Sequence, residues 1–233
     1  MKAETVKEFK VSEFVLISSL PDMGKVGGLV SQHIAEKLDA QVSSKIMISD
    51  KPWVNQKRGL ISVPHDEYRL LVDEKNKIVI FAGESQPQEP CTVMRLAELV
   101  FEEARKIGRI KKIISAGGYL PAQQGEGAEV FGVATSQKTL DELQENGVSP
   151  LTSDVSSITW FNGLILGRAK DNGIDGIGLF GEIADSNTPQ YRAASNVVRK
   201  IGQILKTAIE TRELDGKIAE PRMQAKPDNP GIG

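Results

Sequence analysis

Apolar positions along this chain fall into two kinds of run that alternate from end to end. Short stretches rich in β-branched residues, at 14–20, 42–48, 59–63, 68–73, 78–83, 112–116, 129–134 and 174–181, have the length and composition of strands. Ile78-Val79-Ile80-Phe81 and Ile113-Ile114 are continuously apolar, as central strands covered on both faces require. Between them the spacing turns helical. Val93, Leu96, Ala97, Val100, Phe101, Ala104 and Ile107 form one stripe, with Gly108 as its stop. Ser136 caps a polar helix closed by Gly147, and residues 160–169 read as a helix ended by Asn172-Gly173. The last helix takes Thr188 as N-cap and Pro189 as first residue, with a stripe running from Ala194 to Ile209.

This alternation predicts an α/β fold: a mixed, largely parallel central sheet flanked by helices, in a three-layer arrangement. The close succession of runs between 54 and 73 predicts an antiparallel or bent portion there. The pattern gives a single domain over residues 1–212. Beyond it Pro221, Pro227 and Pro230 stand among few apolar residues, so 213–233 reads as a disordered tail.

The first run stops at Pro21-Asp22 and passes through Met23-Gly24-Lys25-Val26-Gly27-Gly28 into a helix ending near Leu38. Nucleotide-binding α/β domains begin this way, and backbone amides at such a helix start can hold a phosphate. Gly24, Lys25, Gly27 and Gly28 are therefore anion-binding candidates. The literal Walker motif is absent, because Ser19 stands where a glycine belongs and Val26 where a hydroxyl would ligate magnesium. The competing role of these glycines is close packing of helix on strand.

Composition narrows the chemistry. The 233 residues carry a net charge of −2 and only 5% aromatics, which leaves neither a basic footprint nor a stacking surface for nucleic acid. The single cysteine, Cys91, permits no internal disulfide and no paired-cysteine site. His33 and His65 lack metal-ligand spacing, so no metal and no cofactor are expected; His33 reads as part of a solvated helix face. Residues 1–10 are charged without an apolar signal core, and no apolar run approaches the roughly 18 residues of a membrane span. The expected location is the cytoplasm.

Ligands of open α/β sheets bind beyond the carboxyl ends of the strands. Glu84 and Glu182 leave two such ends, and two acids meeting in one crevice could act as acid and base in N-ribosidic cleavage by a nucleoside phosphorylase or hydrolase. They could equally satisfy loop amides. Gly117-Gly118-Tyr119-Leu120-Pro121, with Gln123 to Gly127 after it, reads as a flexible loop and adds Gly117 and Gly118 to the ligand candidates. Gly176-Ile177-Gly178-Leu179-Phe180-Gly181 spells the dinucleotide fingerprint, but no helix follows it, so its glycines read as packing residues. Trp53 and the Trp160-Phe161 pair are candidate partner contacts. Core packing competes with that role, more so for Trp160 than for Trp53.

Taken in order, these segments resemble the proteasome assembly chaperone family, in particular its archaeal members. The likeness is carried by Leu20-Pro21-Asp22-Met23-Gly24-Lys25-Val26-Gly27-Gly28, Gly83-Glu84-Ser85-Gln86-Pro87, Ile113 to Gly118, Val130 to Thr135, Gly163-Leu164 and Gly178-Leu179-Phe180-Gly181-Glu182. It spans about residues 14–209. The resemblance implies a fold similar to purine nucleoside phosphorylases, a homo-oligomer, and binding of proteasome α-type subunits without catalysis. Family members that dock on the proteasome ring carry a tail of hydrophobic residue, tyrosine and any residue. Gly231-Ile232-Gly233 departs from that pattern, so tail docking does not carry over.

Overall fold

The computed structural model describes residues 1–121, 129–151 and 155–218. Among these residues the main sheet has nine strands, in the order β1-β3-β6-β7-β2-β8-β11-β9-β10. The strands are β1 (Lys2–Thr5), β2 (Val11–Ser18), β3 (Gln41–Ile48), β6 (Asp66–Asp73), β7 (Ile78–Gly83), β8 (Gly108–Tyr119), β9 (Val130–Ala134), β10 (Ser149–Pro150) and β11 (Asp175–Glu182). Strands β4 (Asn55–Lys57) and β5 (Leu60–Ser62) form a separate antiparallel hairpin between β3 and β6. The helices are α1 (Val26–Lys37), α2 (Pro90–Ile107), α3 (Gln137–Glu145), α4 (Trp160–Asp171), α5 (Tyr191–Leu205) and α6 (Arg212–Ile218).

Period-two alternation builds the layers. Leu16, Val79, Phe81 and Ile113 point into one core with Leu96 and Val100 of α2 and Phe161 and Ile165 of α4. Their neighbours Ile17, Ile80 and Ile114 point into the other, with Val30 and Ile34 of α1 and Val197 and Ile201 of α5. Successive side chains of a strand face opposite ways, so a run apolar at every position must be covered on both sides. This is the three-layer α/β arrangement predicted from the pattern.

The sheet is less parallel than expected. Strands β7, β2, β8 and β11 run parallel, as crossover helices demand, whereas β1, β3, β6 and β7 pair antiparallel and β9 runs antiparallel to β11. Residues 74–77 are too few for a crossover between β6 and β7, and residues 49–65 between β3 and β6 carry the β4–β5 hairpin instead of a helix. Residues 59–63 do contain a strand, but it belongs to the detached hairpin.

Other boundaries move for identifiable reasons. Strand β8 reaches from Gly108 to Tyr119 because β11 pairs with it along its length up to Tyr119↔Glu182, so Gly117 and Gly118 are strand residues rather than loop. Residues 122–128, including Gln123 to Gly127, lie outside the described set. Helix α5 starts at Tyr191 instead of 188–189, since the Thr188 hydroxyl donates to Asp185 and the Gln190 amide to the Gly24 carbonyl. It ends at Leu205, before left-handed Lys206. The tail is ordered at its start: α6 buries Leu214, and Asp215 accepts bonds from Ser195, Thr211 and Arg199. Residues 219–233, with the Gly231-Ile232-Gly233 end, are outside the described set. His33 is buried against the same segment, its Nε2 2.6 Å from the Glu210 carbonyl, so the solvated-face reading is overturned.

Candidate functional site

The carboxyl ends of the parallel strands hold a turn in which the Gly24, Lys25 and Gly27 amides are engaged by the Ser186 carbonyl, the Asp22 carbonyl and the Asp22 side chain. After β2 the chain makes a short 3-10 turn, Met23–Lys25, in which Gly24 and Lys25 adopt φ of 65° and 56°. Gly24 needs that freedom twice over, because a Cβ there would also lie 2.5 Å from Cγ of Gln190. Gly27 sits where a Cβ would meet the Leu20 and Ala116 carbonyls at 2.5 and 2.7 Å, and one on Gly28 would meet Pro21 at 2.6 Å. These glycines let α1 settle directly on the strand ends.

The two best anion donors of the site converge on a group of the chain itself. The Gly27 amide, in the first turn of α1, donates to Oδ1 of Asp22 at 2.9 Å. The Gly118 amide, on β8, donates to Oδ2 of the same carboxylate at 2.7 Å. Gly117 is glycine beside it because a Cβ would fall 2.5 Å from that oxygen. Gly27, Gly117 and Gly118 are thus brought together around the Asp22 carboxylate. Burial penalises this carboxylate more than the Gly27 and Gly118 amides relieve it, and pushes its pKa up to about 7. A pocket that raises its own tethered monoanion so far is a poor host for a dianionic phosphate. The Lys25 side chain is exposed.

Side chains from distant segments hold the turn. Asn162 of α4, itself buried, receives the Leu20 amide on Oδ1 at 2.8 Å and donates through Nδ2 to the Leu20 carbonyl at 3.0 Å. The Ser19 hydroxyl accepts from the Ala116 amide at 2.7 Å. Gln86 donates to the Pro21 carbonyl at 3.1 Å and accepts from the Phe161 amide at 2.7 Å. Sequence reasoning did not single out Asn162 or Gln86. Asn162 could have been noticed as an amide inside an otherwise apolar helical run, but its partner lies 142 positions away.

The two acids do not converge. Glu84 follows β7 and is exposed in a groove with Gln32, Glu36, Asp39 and Arg69 on the α1 face. Glu182 ends β11, is buried, and by alternation from Ile183 and Leu179 faces the other side of the sheet. Strands β2 and β8 intervene, a separation of about 14 Å at ordinary strand spacing. Paired glycosidase carboxylates lie about 5–9.5 Å apart across one bond. No group of three or more His, Cys, Asp or Glu fit for a metal occurs among the described residues. Nor is any described helix long and apolar enough to cross a membrane.

The aromatic candidates separate. Phe161 is fully buried, 5.1 Å from Phe81 between ring centroids, and is a core residue rather than a partner contact. Trp160, for which core packing was the weightier competitor, is instead exposed, as is Trp53.

Comparison with known proteins decides the family. The family model described as PAC2 family matches residues 16–226. The chain belongs to the PAC2 family. Uncharacterized protein MJ1210 of Methanocaldococcus jannaschii is 28% identical over 207 residues, covering 86% of this chain and 77% of that protein. The structure is similar to Pyrococcus furiosus PbaA, an archaeal homolog of proteasome-assembly chaperone, with TM-score 0.75 and 25% identity over 93% of this chain and 92% of that one. It also shares its fold with Pyrococcus furiosus PbaB, an archaeal proteasome activator, with TM-score 0.78 and 20% identity over 93% of both chains. The matched span, residues 16–226, includes the turn around Asp22.

Proposed function

We propose that this PAC2 protein is a non-catalytic, proteasome-assembly-chaperone-like factor that self-associates and binds proteasome α-type subunits in the cytoplasm. The observation that supports a binding role over catalysis is the Asp22 carboxylate lodged on the Gly27 and Gly118 amides. Amides that could face an anion serve here to lock strand to helix, and Glu84 and Glu182 lie on opposite faces of the sheet. The proteasome partnership draws support from family membership and from the likeness to PbaA. Tagged protein should capture recombinant α-type subunits of its own organism at near-physiological salt, and Glu84→Gln and Glu182→Gln should capture them equally well. Absence of any capture would remove the proteasome reading. Turnover of a nucleoside in a broad panel, abolished by either Glu→Gln change, would replace it with the enzyme reading.

A further inference from the structure

Two apolar features at the carboxyl-end edge of the sheet are left exposed among the described residues. The first is the β4–β5 hairpin. Among the described residues, five of the exposed large hydrophobics fall in residues 53–63: Trp53, Val54, Leu60, Ile61 and Val63, with Leu60 and Ile61 76% and 73% exposed. The hairpin pairs with no strand of the main sheet. An isolated two-stranded hairpin has marginal stability, and one that displays its aliphatic residues to water is a contact element without its contact.

The second feature is a recess of about 490 Å³ between the heads of α2 and α4, lined chiefly by Pro90, Val93, Met94, Ile158, Trp160 and Leu164. Its wall is constructed. Trp160 is 47% exposed and holds φ at 60°, a left-handed conformation that costs a bulky residue energy. The Gln86 bond to the Phe161 amide and the buried Phe161 ring pin the backbone beside it. Gly163 lets residue 158 fold back on the helix, for a Cβ there would lie 2.0 Å from the Ile158 carbonyl. Strain kept at an exposed aromatic points to use of that surface.

The two features are complementary in charge as well as polarity. Lys57 and Arg58 are exposed beside Leu60 and Ile61, while exposed Glu89 stands next to Pro90 at the mouth of the recess. We infer that the β4–β5 hairpin of one copy seats Leu60 and Ile61 in the Trp160 recess of a second copy of this chain. This inference rests on the self-association reading above. The two surfaces are different, so the contact is head-to-tail and repeats until a ring closes.

The test is mass by light scattering for the wild type, a hairpin variant (Leu60→Asp with Ile61→Asp) and a recess variant (Trp160→Gly). Wild type should be oligomeric and each variant monomeric, with association weakened at least about 30-fold, as loss of a central anchor entails. Mixing the two variants should give a 1:1 heterodimer, because one intact hairpin then meets one intact recess and growth stops. Either variant keeping the wild-type mass, or a mixture that stays monomeric, overturns the head-to-tail contact while self-association stands. A monomeric wild type overturns both. Folding is controlled by adding Trp160→Gly to the monomeric hairpin variant, where glycine accepts φ of 60° without strain and the melting temperature should not fall. A fall would make Trp160 a structural residue and overturn its role as a contact.

Discussion

Replacing Asp22 with asparagine should reverse the stability order of wild type and variant between acid and mildly alkaline pH. The change is isosteric and removes the charge. It also turns one oxygen into an NH₂ group, which must face either the Gly27 or the Gly118 amide, donor against donor. One partly buried amide then lacks an acceptor, at a cost of about 1–3 kcal/mol that does not depend on pH. The wild-type carboxyl carries a second, pH-dependent penalty. Its folded pKa is raised from 3.8 to about 7, so between those values the native state binds more protons than the unfolded chain. Stability therefore falls as pH rises through that window and is flat outside it. Between pH 5 and pH 8 wild type should lose about 2–3 kcal/mol relative to Asp22→Asn. Wild type should be the more stable protein near pH 4.5 and the less stable one near pH 8. Urea unfolding of both proteins at four pH values, compared as differences, cancels every other titrating group. A difference that is constant with pH would refute the argument. One that grows in favour of wild type at high pH would show that the two amides outweigh burial and hold the carboxylate ionised.

Two further substitutions probe the scaffold. Asn162→Ala strips the buried Leu20 backbone of both its side-chain partners and should cost about 2–5 kcal/mol in denaturant unfolding, far more than loss of a surface amide. Ser136→Ala breaks the capping box with Thr139 at the head of α3 and should cost about 1 kcal/mol, with secondary structure by circular dichroism essentially unchanged.

The layers of this fold were legible in the sequence because they depend on local periodicity. Ile78-Val79-Ile80-Phe81 could only be a strand covered twice, and the Val93–Ile107 spacing could only be a one-faced helix. Pairing direction was less legible. A run of apolar residues does not say whether its neighbour is parallel, and β3, β6 and β7 pair antiparallel through a hairpin-bearing link, 49–65, and a short one, 74–77. Polar helix 212–218 was missed for a different reason. Its single buried anchor, Leu214, gives no stripe, and its hold on the fold comes from Asp215 meeting Ser195 and Arg199 of α5. At the site, glycine positions were visible and their purpose was not. Gly117 and Gly118 looked like loop flexibility, yet they are strand residues shaved to admit the Asp22 carboxylate and the Met23 carbonyl.

That distinction bears on how such turns should be read. A strand, a glycine turn and a helix start aim free amides at one point, whatever the protein later does with them. A motif search at this turn asks whether residue 26 bears a hydroxyl for magnesium. The structure shifts the question to residue 22, because an aspartate one step beyond the strand-end proline reaches back to the Gly27 amide and across to Gly118. With its own acceptor in place, the turn gains a cross-link between β8 and α1 through the Gly118 and Gly27 amides. Catalytic scaffolds leave such donors unpaired until substrate arrives. Here the Gly27 and Gly118 donors are satisfied by Asp22, and most of the exposed large hydrophobics among the described residues lie on the hairpin and around Trp160. Amides filled by the chain's own carboxylate, beside apolar side chains left exposed on the hairpin and at Trp160, are the pattern that supports the binding reading proposed above.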